Sequence, residues 1–92
     1  MTDRVERIRS ILEAGLAPAR LEIVDDSHAH AGHAGAMGGG GHFTALIVSA
    51  AFEGKSLVQR HQLVYRVLGE LLRTDIHAFS MKVYTPSEFQ SL

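Results

Sequence analysis

Four histidines crowd one short stretch: His28, His30, His33 and His42 lie within Ser27-His-Ala-His-Ala-Gly-His-Ala-Gly-Ala-Met-Gly-Gly-Gly-Gly-His42. Imidazole is the commonest metal ligand among side chains and titrates near neutral pH. A glycine-rich tract that carries it is either a metal-binding element or a solvated, tag-like segment with weak affinity for zinc or nickel. Two further histidines, His61 and His77, lie downstream, and the 92 residues hold no cysteine. Any soft-metal or cluster chemistry here must therefore borrow sulfur from a partner.

Other chemistries find no constellation. Asp25 and Asp26 adjoin the tract, but adjacent aspartates at a strand end point in different directions. The serines form no nucleophile elbow. Gly38 to Gly41 lacks the Lys-Ser/Thr that a phosphate loop requires and opens no helix. The reading is of a protein that is not an enzyme.

Nine basic residues face ten acidic ones, for a net charge of −1. Non-specific nucleic-acid binding usually leaves a strong basic bias, so only a local patch could serve it. The hydrophobic fraction of 46% argues against wholesale disorder. Absence of cysteine rules out disulfides and fits a reducing compartment. Met1-Thr-Asp-Arg-Val-Glu-Arg7 has no apolar signal core, and no apolar run approaches a membrane span. These features predict a cytoplasmic protein with no membrane contact.

The histidines need elements to position them. Residues 2–16 read as an amphipathic helix, with Val5, Ile8, Ile11, Leu12 and Leu16 at helical spacing, Thr2 as N-cap, and Gly15 and Pro18 as the stop. Residues 20–25 and 43–49 read as consecutive antiparallel strands, joined by the histidine tract at 27–42. A turn region over 50–55 follows. Ser56 caps a long helix to about Arg73. Its inward stripe reads as Val58, His61, Tyr65, Leu68 and Leu72, flanked by Leu57, Val64 and Leu71. Residues 76–84 form a third strand, in which parity groups His77 with Phe79, Met81 and Val83 on the core face. Thr85-Pro-Ser-Glu88 starts a last helix, with Phe89 and Leu92 packing it down. The order α-β-β-α-α-β-α predicts one α+β domain over residues 1–92, a three-stranded mixed sheet with helices packed on one face.

Phe52-Glu-Gly-Lys-Ser-Leu-Val-Gln-Arg-His-Gln-Leu-Val-Tyr65 is a distinctive string. Together with Ile76-His-Ala-Phe-Ser-Met-Lys-Val-Tyr-Thr-Pro86 it closely resembles the BolA family. Leu21-Glu-Ile-Val-Asp-Asp-Ser27 looks like that family's first strand, and His42-Phe43 like the entry to its second. The resemblance covers nearly the whole chain after the first helix. It implies a class II KH-like fold. True KH modules clamp a nucleic-acid backbone with a Gly-x-x-Gly loop. Here the stretch reads Gly54-Lys-Ser-Leu57, and the leucine denies a phosphate backbone the same close approach.

The resemblance also implies a partner and a cofactor. BolA-like proteins form heterodimers with monothiol glutaredoxins that share a 2Fe–2S cluster with glutathione. Such a protein co-ligates the cluster and acts in iron–sulfur trafficking or in iron and redox regulation. Carried over, the strand ligand is His77 and the loop ligand is best matched by His30, with His33 and His28 as alternatives. No cofactor is expected in the isolated protein, which would be a monomer or weak homodimer. His42 reads as support for the loop base, and His61 as a core-edge residue. The family's other described role is DNA-binding transcriptional regulation in stress response and cell morphology. For that role Lys55, Arg60, Arg66 and Lys82 are the candidate surface, serving a protein partner equally well.

Overall fold

A computed structural model describes residues 4–26 and 41–92. Helix α1 spans Arg4–Leu16, β1 Arg20–Asp25 and β2 Gly41–Val48. A 3₁₀ turn at Ala50–Phe52 leads to α2 (Leu57–Leu68) and the short α3 (Leu71–Thr74). Strand β3 (Ile76–Tyr84) and α4 (Pro86–Gln90) complete the chain. The sheet order is β1-β2-β3, with β1 antiparallel and β3 parallel to the central β2. This is the expected α+β architecture with a mixed three-stranded sheet.

Alternation along the strands decides which face is covered. Phe43, Ala45 and Ile47 of β2 point into the core with Val83 of β3. They meet Ile8, Leu12 and Leu16 from α1 and Val64 and Leu68 from α2, all of them buried. Burying such side chains contributes about 1.5–3 kcal/mol each. Val48 has the opposite parity and is also buried. Its row in the register holds Arg20 and Tyr84. Phe89 of α4 lies 5.9 Å from the Tyr84 ring and 5.5 Å from the Arg20 guanidinium, so α4 closes that end of the sheet.

Three departures from the sequence reading have physical causes. Gly15 does not stop α1; it lies inside it, and a Cβ there would come within 2.5 Å of Val67 Cγ1. The glycine lets α1 and α2 approach. The long helix over 56–73 is two helices, broken at Gly69, whose φ of +53° suits a residue without a side chain. The break also corrects the stripe on α2. Its core residues are Val64 and Leu68, with Leu63 and Val67 packed beside them. Leu57, Val58 and Tyr65 are exposed, at 61%, 65% and 41%. Leu72 cannot extend a stripe along α2, because the helix axis ends before it.

Both caps read from sequence form. Ser56 and Gln59 make a capping box at α2, as do Thr85 and Glu88 at α4, with Pro86 in the first turn. Buried Ser49 satisfies a helix end: its Oγ donates to the Leu16 carbonyl at 2.6 Å and accepts from Ala51 N–H at 3.0 Å.

Candidate functional site

The histidine end of the sheet is assembled by backbone pairing. Asp26 N–H donates to the His42 carbonyl at 2.7 Å, and Gly41 N–H to the Asp75 carbonyl at 2.9 Å. Thr44 Oγ1 donates to Asp26 Oδ2 at 2.5 Å. Asp75 Oδ2 in turn holds Arg7 Nε at 2.5 Å, which ties α1 to the start of β3. Both ends of the histidine tract, Asp26 and Gly41, thus leave the sheet at one corner.

His77 sits at that corner, and a strand irregularity puts it there. Ile76 is buried, and Phe79 packs against the same core. Residues three apart fall on opposite faces of a regular strand. The conflict is resolved by a register shift: Gly41 pairs with Ile76, but His42 pairs with Ala78. The extra residue is His77, which is exposed rather than on the core face. The phase slip was readable in the spacing of Ile76 and Phe79, and parity counted from Val83 missed it.

His42 shares its parity with Thr44 and Leu46, on the sheet face opposite Phe43 and Ala45, and is half-buried. Its ring centroid lies 5.1 Å from that of His77, with the planes tilted by 43°. The folded chain therefore brings together two imidazoles, although along the sequence His42 reads only as support for the loop base. His61 is half-buried on α2, away from this corner. His28, His30 and His33 lie outside the described residues. Among the described residues, no group of three histidine, aspartate or glutamate side chains is placed to hold a metal. Two imidazoles suit borderline metals and partial ligation of a cluster, with the remaining ligands supplied from elsewhere.

The four cations do not form one surface. Lys55 and Arg66 line a hollow of about 340 Å³ with Gln59 and Gln62, beside Gly54. Lys82 is on the opposite side of the sheet, grouped with Glu22 and Thr44. Arg60 is occupied: its Nε donates to the Lys55 carbonyl at 3.0 Å, and Nη1 and Nη2 reach Glu88 Oε1 and Oε2 at 2.7 and 3.0 Å. Its side chain is only 12% exposed. The Arg60 hydrogen bond, helped by the Thr85 backbone N–H, pulls the Glu88 pKa from its ordinary 4.5 down to about 2. Arg60 thus joins α2 to α4 and offers no open guanidinium to a partner. No helix among the described residues is long and apolar enough to cross a membrane.

A BolA-like protein family model matches residues 12–88. SufE-like protein 1, chloroplastic/mitochondrial, from Arabidopsis thaliana is 48% identical over 89% of this chain. The DNA-binding transcriptional regulator BolA of Escherichia coli is 38% identical over 95% of it. The chain spans 24% of the plant protein and 80% of the bacterial one. The solved structure of BolA1 from Arabidopsis thaliana superposes with a TM-score of 0.82 at 47% identity, covering 96% of this chain and 97% of that one. The curated sequence of chloroplastic BOLA1 from the same plant is longer, and this chain spans 58% of it.

Proposed function

The chain belongs to the BolA-like family, and from that premise we propose that it is a non-enzymatic adaptor that binds a monothiol glutaredoxin. In this reading it co-ligates a 2Fe–2S cluster with the glutaredoxin and its glutathione, in iron–sulfur trafficking or iron and redox regulation, in the cytoplasm. The observation that carries the proposal is the exposure of His77 at the bulge, beside His42 and at the corner where the histidine tract leaves the sheet. An imidazole meant for a partner's cluster must reach solvent, and His77 does. The tract leaves Asp26 four residues before His30, a tether of roughly 14 Å at full extension. His30 is therefore a second ligand within reach, with His33 and His28 as alternatives. The cluster would supply one-electron chemistry and transferable iron and sulfide. Imidazoles in place of thiolates raise its potential. The missing thiolates must come from the partner and glutathione, because this chain has no cysteine.

The test is anaerobic reconstitution with a monothiol glutaredoxin, glutathione, iron and sulfide, read by visible absorption and circular dichroism. A heterodimer spectrum that His77→Ala abolishes supports the adaptor. A glutaredoxin spectrum left unchanged by the wild-type protein would sink it.

A second reading, a DNA-binding regulator, is favoured by one observation: Lys55 and Arg66 face one polar hollow. The Escherichia coli relative carries that description. Phosphate contacts from this patch would make affinity fall steeply with salt.

A further inference from the structure

We propose that His42 and His77 form a chelating pair for a single borderline divalent cation of the zinc class. The argument starts from the ring geometry. Two imidazoles bound to one tetrahedral ion at metal–nitrogen distances of about 2.0–2.1 Å have ring centroids about 5 Å apart. The His42 and His77 centroids are 5.1 Å apart. A chelate gains from ligands held in place before the ion arrives, and sheet pairing sets the backbone of His42 and of the residues on either side of His77. Asp26 N–H and the His42 carbonyl close β1 on β2, while the bulge at His77 turns its side chain out of the core. His42 and His77 are each the second residue of their strands, which are adjacent and parallel.

The donor set limits the ion. Two neutral imidazoles, with no thiolate in the chain and no third ligating side chain converging on them among the described residues, suit zinc, nickel or copper rather than magnesium or calcium. Water fills the remaining positions of such a site. Where the adaptor reading holds, an ion on this pair and a cluster on His77 exclude each other.

The experiment is calorimetric titration of zinc chloride into protein carrying His28→Ala, His30→Ala and His33→Ala together. Neither glutaredoxin, glutathione nor iron is present, so the result is independent of whether a cluster forms. The expected result is one ion per chain, with affinity weakened roughly tenfold or more by adding His77→Gln or His42→Gln, as loss of one of two protein ligands implies. His61→Gln should leave it unchanged. Far-ultraviolet circular dichroism checks folding, and His42→Asn replaces His42→Gln if that variant unfolds. Loss of all binding in the triple variant, or binding indifferent to His42 or governed by His61, would overturn the proposal and leave the 5.1 Å contact as ring packing only.

Discussion

Arg60 meets both carboxylate oxygens of Glu88, at 2.7 and 3.0 Å, so one bidentate pair clamps the first turns of α2 to the C-terminal helix. Glu88 also accepts from the Thr85 backbone N–H at 2.9 Å, and the same carboxylate caps its own helix. Arg in this geometry is not replaceable by Lys, which lacks the planar fork.

The clamp has a pH signature. A carboxyl whose folded pKa is depressed stabilises the fold above its unfolded pKa and loses that contribution as pH falls through the folded one. For Glu88 the window runs from its ordinary 4.5 down to about 2. Glu88→Gln should lower the urea midpoint at neutral pH. The gap between variant and wild type should close as pH falls through that window. A gap that stays constant across it would contradict the assignment.

Gly15→Ala tests the close approach of α1 and α2. Alanine improves helix propensity by about 1 kcal/mol. The new Cβ, however, falls 2.5 Å from Val67 Cγ1, and overpacking costs about 1–3 kcal/mol. We expect net destabilisation of up to about 2 kcal/mol by chemical denaturation. Val67→Ala in the same chain should recover part of it.

The true face of α2 is tested by two leucines. Leu68 is fully buried and Leu57 is 61% exposed. Leu68→Ala should cost about 2–5 kcal/mol. Leu57→Ala should stay within about 0.5 kcal/mol. Equal losses would mean that the helix is rotated.

His77→Ala separates function from folding. The side chain is exposed at a bulge, so stability should change by no more than about 0.5 kcal/mol. Under the adaptor reading the heterodimer cluster spectrum should nevertheless disappear. A thermal melt beside the reconstitution assay distinguishes ligand loss from unfolding.

If the protein binds DNA through the polar hollow, Lys55→Ala and Arg66→Ala should each weaken binding and reduce the salt slope by roughly one unit. Lys82→Ala should do neither, since Lys82 is on the opposite face of the sheet. A dominant effect of Lys82 would move the binding surface to the open sheet face.

Much of this protein is legible along the chain. β1 and β3 fall at the residues expected from alternation, and the helix caps form at Ser56 and at Thr85-x-x-Glu88, where the sequence announces them. Such signals are local: a strand's period or a cap depends on residues within a few positions. The resemblance carried by Phe52 to Tyr65 and Ile76 to Pro86 was equally a property of the linear string. What sequence could not settle were matters of phase and approach between distant segments. Val58 and Tyr65 have helical spacing as good as that of Val64 and Leu68; only docking against α1 at Gly15 chose between the stripes. Arg60 reads as an exposed cation until α4 brings Glu88 to it from 28 residues away. His77 and His42 lie far apart in the chain. They become neighbours because β3 pairs parallel to β2, and His77 reaches solvent because Ile76 and Phe79 both demand the core. Local propensity wrote the elements; competition among side chains for one core decided which histidines face outward together.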